Sequence, residues 1–213
     1  MKIFLSAVIC AVFQAAVFAQ HDSKAYSILE AMSKKYKSYV SFEASLKSNL
    51  TNESEGVKEE FSGKISVKGQ KFNLNMGEQV IINNGRTVWT YLPAAKEVNI
   101  DHVDKNSEEF APAQFYDMYK KGFKYLYLGE SKQDGLLCDE IDLVPEKKDA
   151  QYFKVKIFIA KKDKSVQSWT MYDRVGNKYK YSISKFTPNI KLNETVFSFD
   201  PKNYPGVEVI DLR

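Results

Sequence analysis

The sequence contains few of the side chains on which metal binding and catalysis usually depend. Its 213 residues include two cysteines and two histidines. Cys10 lies in an N-terminal apolar run, so the rest of the chain has one cysteine, Cys138, and cannot form an intrachain disulfide. His102 lies between Asp101 and Asp104 in the one compact cluster of potential metal ligands. Because a metal centre usually needs several ligands at suitable spacing, we interpret this cluster as a solvated strand end and expect no metal and no cofactor.

Motifs for nucleophilic catalysis and phosphate binding are absent as well. Cys138 lies in an alternating run with no histidine near it in sequence, which favours a small buried side chain over a nucleophile. The chain has no glycine-rich phosphate loop and no serine in a Gly-x-Ser-x-Gly elbow. We predict that the protein is not an enzyme. The alternative, an exported hydrolase on a β-sandwich, would require titratable groups such as His102 or Cys138 in a cavity.

Charge of one sign is not concentrated in any segment. The 31 basic and 27 acidic residues give a net charge of +4, spread over many short alternations of lysine with acidic residues. Binding to nucleic acid requires lysine and arginine clustered on one face. The sequence therefore argues against a nucleic-acid partner.

Long apolar runs occur only at the N-terminus. Lys2 precedes an apolar stretch at residues 3–12, and Val17-Phe18-Ala19 is a small-residue cleavage site. The stretch is shorter than the about 20 residues of a membrane span, and Gln14 interrupts it. We expect residues 1–19 to be a signal peptide cleaved near Ala19, and residues 20–213 to form one exported domain with 30 basic and 27 acidic residues. The alternative is a retained membrane anchor.

The rest of the chain alternates between apolar and polar residues, as half-buried strands do. Fourteen phenylalanines and thirteen tyrosines suit a large sheet better than a helical bundle. Residues 61–100 contain five short runs of period two separated by turn residues, which predicts an antiparallel meander. Within it, Asn84-Gly85 predicts a type I′ hairpin, in which both central residues need positive φ. We count about eleven strands in the chain and find no repeat or linker.

Two segments have helical spacing instead. Residues 23–38 place apolar side chains on one face, and Asp22 or Ser23 can cap the first turn. A mid-chain helix lies between Ser107 and Lys121 and is expected to begin around Ala111, because Pro112 fits only in a first turn. Gly122 is expected to end it.

A curved sheet of this size can enclose a cavity. About eleven strands closed on themselves would surround more space than their own side chains need to fill, and such barrels often hold a ligand. The two amphipathic helices could then cover the mouth. The alternative is a packed core between sheet and helices, and periodicity alone does not distinguish the two.

Four motifs in register resemble those of one known family. The resemblance spans residues 25–210 and rests on the stretches Phe61-Ser62-Gly63-Lys64-Ile65-Ser66-Val67-Lys68, Asn84-Gly85-Arg86-Thr87-Val88-Trp89-Thr90-Tyr91, Glu97-Val98 and Phe197-Ser198-Phe199-Asp200-Pro201. In these the chain is similar to the periplasmic outer-membrane lipoprotein carrier protein (LolA) family. The resemblance implies a mainly β (α+β) fold, an unclosed antiparallel β-barrel of about eleven strands with a helical lid over an apolar cavity.

The function that the resemblance implies is a periplasmic chaperone without catalytic activity. Members of the family accept a lipoprotein from an inner-membrane ABC-transporter complex, shield its acyl chains and pass it to an outer-membrane receptor. We expect a monomer. The alternative is a binder or carrier of another lipid or acylated intermediate on the same scaffold.

The chain departs from the family pattern at one position. The resemblance implies an arginine directly after the lysine that ends the second strand, where it bonds to the lid. Here Lys68 is followed by Gly69. If the lid is locked, Lys68, Gln70 or Lys71 would have to provide the bond.

The acyl-chain cavity is expected to be lined by apolar side chains of the strands and of the mid-chain helix. At Val88 and Trp89 both strand faces are apolar, so the inward parity stays open there. The expected ligand-binding residues are Phe42, Leu46, Ile65, Val67, Phe72, Leu74, Met76, Val88, Trp89, Tyr91, Phe115, Met118 and Val155.

Overall fold

The protein is represented by a computed structural model that describes residues 22–103, 112–120 and 122–213. The expected signal peptide and the expected start of the mid-chain helix at residues 107–111 lie outside the described residues.

The described chain consists of one α-helix, twelve strands and three 3₁₀ helices. The first 3₁₀ helix, Pro112–Lys120, is the mid-chain helix, and the other two, Glu194–Phe197 and Pro201–Asn203, lie in a C-terminal segment that we define as residues 194–211. The remaining elements are α1 Ser23–Lys37, β1 Ser41–Asn52, β2 Val57–Lys68, β3 Lys71–Asn75, β4 Val80–Asn83, β5 Thr87–Leu92, β6 Glu97–His102, β7 Phe123–Gln133, β8 Leu136–Pro145, β9 Tyr152–Ala160, β10 Val166–Asp173, β11 Lys178–Pro188 and β12 Glu208–Asp211.

All twelve strands form one sheet that is not closed. Their order is β12-β6-β5-β4-β3-β2-β1-β11-β10-β9-β8-β7, so β12 and β7 form the two edges among the described strands. This confirms the expected unclosed, mainly β architecture, with twelve strands where about eleven were predicted. The expectation of purely antiparallel pairing is wrong at one place, because β12 pairs with β6 in parallel. A parallel pair needs a long crossover connection, and here the chain between the two strands includes β7 to β11 and the two C-terminal 3₁₀ helices.

Helix α1 forms where apolar spacing and capping agree. The Asp22 side chain accepts hydrogen bonds from the backbone N–H groups of Lys24 at 2.8 Å and Ala25 at 3.1 Å. Three lysines in the last turn suit the negative end of the helix dipole. The apolar face packs on the sheet around Ile141, Val155 and Ile159. The members of that face are Ala25, Ile28, Leu29, Met32 and Tyr36, all buried.

The turn between β4 and β5 differs from the predicted one. Gly85 has a φ of +91°, but Asn84 does not have positive φ, so the turn is not type I′. The Asn84 Oδ1 atom instead accepts hydrogen bonds from the backbone N–H groups of Arg86 and Thr87, each at 2.9 Å. The asparagine therefore stabilises this turn through its side chain, in the manner of an Asx turn.

The C-terminal segment covers one face of β4, β5 and β6. Phe199 packs against Ile82 and Val98, both almost fully buried. Its ring lies 4.4 Å from that of Tyr204 and 5.5 Å from that of Tyr91. A second apolar core thus lies on the face that is opposite to the cavity described below.

Gly63 in β2 is a position where the backbone of β3 approaches closely. A methyl group on Gly63 would lie 2.6 Å from the carbonyl oxygen of Asn75 and would also meet the Met76 sulfur. We expect Gly63→Ala to lower the free energy of unfolding by about 1–3 kcal/mol, the usual cost of overpacking. Urea titration would measure this. Ser62→Ala, at an exposed position of the same strand, is the control and should be close to neutral. A Gly63→Ala protein as stable as the wild type would contradict the close approach.

Candidate functional site

A cavity of about 800 Å³ lies between the inner face of the sheet and the two helices. Such a volume falls in the range of about 300–1,000 Å³ that is typical of ligand sites. Tyr36 of α1 and Phe115 of the mid-chain helix contribute to one side of it. Every second residue of the neighbouring strands contributes to the wall, as strand alternation requires. The fold therefore contains a cavity on the inner face of the sheet.

Eight of the thirteen expected residues line this cavity. They come from β1, β2, β3 and the residue that follows it, β5 and the mid-chain helix. The structure brings together Phe42, Leu46, Ile65, Phe72, Leu74, Met76, Val88 and Phe115.

Three expected residues are buried or half-buried near the cavity but do not line it. Val67 is 2% exposed and packs in the same apolar cluster as Phe42. Met118 and Val155 belong to the core beneath α1, where the helix occupies the space that the prediction left open. Val155 points to the inner face of the sheet as expected, but α1 covers it there, which was not expected.

The expected orientation of Trp89 and Tyr91 is wrong. Val88 and Thr90 line the cavity, so alternation directs Trp89 and Tyr91 to the other face. There they pack against the C-terminal core with Phe199 and Tyr204. Both faces of β5 are apolar because one meets the cavity and the other meets the C-terminal segment.

The cavity wall also includes residues that the sequence interpretation missed. Trp169 and Met171 alternate in β10, so their period was visible although their inward direction was not. Ile183 and Phe186 are three positions apart, and period two does not place both inside. A register shift between β1 and β11 pairs Leu46 with Ile183 and Ala44 with Phe186, which brings both to the inner face.

The part of the wall that is formed by β4, β5 and β6 contains most of its polar side chains, next to the apolar Ile81 and Val88. The pairing Phe72–Asn83–Val88–Asp101 crosses four strands in one row. Thr90 lies opposite Ile81 in the neighbouring row. Gln79, Asn83, Thr90, Asp101 and His102 all line the cavity. One cavity thus has an apolar side and a polar side.

The mid-chain helix is attached to α1 by polar contacts. The Asp117 carboxylate accepts a hydrogen bond from the Ser33 hydroxyl at 2.7 Å and pairs with the Lys37 ammonium at 2.7 Å. Glu30 accepts a hydrogen bond from the Tyr119 hydroxyl at 2.7 Å and forms an ion pair with Lys120. Lys68 and Lys71 were expected to bond to the lid. Instead, both form ion pairs with Glu194, at 2.6 and 2.7 Å.

The pKa of Asp117 links this attachment to pH. Burial acts to raise the pKa, but the bonds from Lys37 and Ser33 outweigh it and hold the pKa below the ordinary value of 3.8. A carboxyl whose pKa is depressed by folding stabilises the fold above its unfolded pKa and loses that contribution as the pH falls through the folded pKa. The attachment of the two helices should therefore weaken below about pH 4.

We expect Asp117→Asn to loosen the mid-chain helix without unfolding the sheet. Loss of the charged bonds to Ser33 and Lys37 should cost about 1–2 kcal/mol, because Lys37 is half exposed and part of the attraction is screened. Amide hydrogen exchange should speed up about 5- to 30-fold in residues 112–120 and stay unchanged in β1. Asp149→Asn, at an exposed loop position, is the control. If residues 112–120 exchange at the same rate in Asp117→Asn as in Asp149→Asn, Asp117 does not hold the helix.

Cys138 does not line the cavity. Cys138 is fully buried, and this burial raises the pKa of its thiol, which disfavours the nucleophilic thiolate. Within residues 22–103, 112–120 and 122–213, no three histidine, cysteine or acidic side chains are grouped as metal ligands. In the same residues no helix has the length and apolar character needed to span a membrane.

Fold and cavity together define an open-sheet protein with a pocket that is apolar on one side and polar on the other. The sequence model of one family, the outer membrane lipoprotein carrier protein LolA, matches residues 37–200. The chain therefore belongs to the LolA family. Among curated proteins, none matches it in sequence.

A solved structure shares this fold at low sequence identity. An uncharacterized conserved protein from Thermus thermophilus is 15% identical, with 88% of this chain and 99% of that chain covered and a TM-score of 0.60. A LolA superfamily protein from Nitrosomonas europaea is 12% identical over 82% of this chain and 97% of its own, with a TM-score of 0.45. At 15% identity the first similarity supports the fold alone, and no inference follows from the second, because its TM-score is below 0.5.

Proposed function

We propose that the protein is an exported carrier that holds the acyl chains of lipoproteins in its cavity and moves them across the periplasm. The observation that carries this proposal is a cavity of about 800 Å³ with an apolar side in a chain of the LolA family. Export would depend on residues 1–19 acting as a signal peptide. By family analogy, the donor would be an inner-membrane ABC-transporter complex and the acceptor an outer-membrane receptor.

The free energy of acyl-chain burial explains why such a carrier is needed. Each methylene group removed from water contributes about 0.8 kcal/mol, so one ordinary acyl chain gains on the order of 10 kcal/mol. A lipoprotein therefore leaves a membrane only slowly without a dry site to enter. Carriage itself requires no bond making or breaking.

The apolar side is suited to reversible binding. It is formed by aromatic and methionine side chains such as Phe72, Met76 and Met171. Methionine adapts to irregular shapes, and a site with few fixed anchors binds less tightly than a preorganised one. Both properties favour moderate and reversible binding of cargo.

A second candidate is a carrier of another acylated lipid on the same scaffold. The polar residues that β4, β5 and β6 contribute to the wall support it, because they can bind the head group of a free lipid as well as that of a lipoprotein. The two candidates differ in cargo and share the mechanism of shielding.

The test is release of lipoprotein from membranes. Purified protein would be incubated with spheroplasts that contain a radiolabelled lipoprotein and have lost their own periplasm. We expect the labelled lipoprotein to appear in the soluble fraction in complex with the protein. If lipoprotein stays on the membrane while mass spectrometry finds a free lipid on the protein, the second candidate is correct. If neither is found, both are wrong.

A further inference from the structure

The polar side of the cavity has hydrogen-bonding groups that are not engaged by the protein. Within the described residues, the Thr90 hydroxyl, the Asp101 carboxylate and the Gln79 amide have no hydrogen-bond partner, although all three residues line the cavity and are half-buried. Asn83 uses its Oδ1 atom to accept a hydrogen bond from the backbone N–H of Gly85 at 2.6 Å, which leaves its amide N–H groups for another partner. Water can satisfy these groups while the cavity is open.

A purely aliphatic ligand would displace that water without replacing its hydrogen bonds. Each buried polar group that loses its partner costs about 1–3 kcal/mol. Several such groups would offset much of the gain from burying an acyl chain. The ligand that fits the whole cavity therefore has an apolar part for the side of β1–β3, β10 and β11, and a hydrogen-bonding part for the side of β4–β6.

The charges in the wall restrict the chemistry of that hydrogen-bonding part. Asp101 contributes an acidic group, and no lysine or arginine lines the cavity within the part of the chain that the structure describes. A phosphate or a carboxylate in the ligand would face Asp101, and among the described lining residues His102 is the one side chain that can carry a compensating positive charge. Hydroxyl and amide N–H groups can instead donate to the Asp101 carboxylate, and they can exchange hydrogen bonds with Thr90 and Asn83.

We propose that the cavity selects acylated ligands with a neutral head group that is rich in hydroxyl or amide N–H donors, and that Asp101, Thr90 and Asn83 determine this selection. The inference rests on the proposed acyl-chain carriage and adds the chemistry of the head group. Asp101 is the acceptor for the head group, while Thr90 and Asn83 fix its position. Acylglycerols and the acylated, amide-linked N-termini of lipoproteins share this chemistry.

Competition binding against a fluorescent acylglycerol would test the proposal. The competitors have one chain length and differ in head group: a monoacylglycerol, an acylated cysteinyl peptide with blocked ends, a fatty acid and a lysophosphatidic acid. At neutral pH we expect the two neutral ligands to bind about tenfold more tightly than the two anions, which corresponds to about 1.4 kcal/mol. If the acylated peptide binds more tightly than the monoacylglycerol, the head group comes from a lipoprotein. If the monoacylglycerol binds more tightly, the head group comes from a free glycerolipid.

Two variants test whether residues of the polar side cause the head-group selection. Asp101→Asn should reduce the discrimination against anions to about threefold or less, because the repulsion is removed. Thr90→Val should weaken only the neutral ligands, by about three- to tenfold. Glu59→Gln, at an exposed position of β2, is the matched control and should change nothing. Thermal unfolding would verify that each variant is folded.

The outcomes separate this inference from the proposed function. Equal binding of all four competitors, or discrimination that is unchanged in both Asp101→Asn and Thr90→Val, would overturn the head-group selection and leave acyl-chain carriage intact. Binding of none of them would overturn both.

Discussion

Replacement of Ala44 by tryptophan is expected to weaken acyl-chain binding at least about tenfold while the protein remains folded. Ala44 is 4% exposed and lies at the cavity wall, opposite Ile65 on β2 and Phe186 on β11. An indole at this position would occupy the apolar side of the cavity. We expect the Kd for an acylated probe to rise at least about tenfold, a loss of about 1.4 kcal/mol or more. Fluorescence titration would measure the change.

Two measurements distinguish filling of the cavity from loss of structure. Overpacking should cost about 1–3 kcal/mol, so the Ala44→Trp protein should still unfold cooperatively. Ala95→Trp adds the same ring in the exposed turn between β5 and β6 and should bind the probe as the wild type does. Unchanged binding by folded Ala44→Trp would mean that the ligand does not enter the apolar side of this cavity.

The second large effect is expected on stability, at Phe199. This side chain is 7% exposed and joins the rings of Tyr91 and Tyr204 into the core outside β4–β6. We expect Phe199→Ala to lower the free energy of unfolding by about 3–5 kcal/mol, as is usual for a buried phenylalanine. For a domain of this size the corresponding decrease in Tm is about 6–20 °C. Calorimetry would measure it.

The control for Phe199→Ala is Val209→Ala in the same C-terminal segment. Val209 is 45% exposed on the edge strand β12, so its truncation should cost less than about 1 kcal/mol. Equal effects of the two substitutions would show that the C-terminal segment does not form a packed core on β4–β6. In that case the explanation for the outward direction of Trp89 and Tyr91 would also fail.

The sequence predicted the strands well because their period of two is a local property. Alternation in residues 65–76 and 153–159 identifies the strands and the apolar side of each. The spacing of Ile28, Leu29 and Met32 identifies α1 in the same way. These patterns depend on neighbours in the chain, so one sequence is enough to recognise them.

Directions that depend on distant segments could not be predicted. Trp89 and Tyr91 face outward because residues 194–211 cover β4–β6, about a hundred positions later in the chain. Val155 lies under α1 and not in the cavity for a similar reason. The parallel pairing of β12 with β6 also joins segments that are far apart in the chain, so no local pattern predicts it.

Two features of the candidate site had no signal that the sequence interpretation could use. Ile183 and Phe186 reach the cavity together through a register shift in β11, which interrupts period two. Asn83, Thr90 and Asp101 gather on the polar side because the register of β4, β5 and β6 aligns them. Polar residues in an alternating strand are ordinarily assigned to the solvated face, so alternation favours the wrong side here.

The central claim, that an acyl chain enters this cavity, can be tested with the two tryptophans of the chain. Trp169 lines the cavity, and Trp89 lies on the opposite face of the sheet. The measurement is quenching of tryptophan fluorescence by a monoacylglycerol with a brominated chain, in Trp89→Phe and in Trp169→Phe. We predict saturable quenching of Trp169 and unchanged emission of Trp89. Absence of Trp169 quenching, or equal quenching of both residues, would contradict acyl-chain binding at this site.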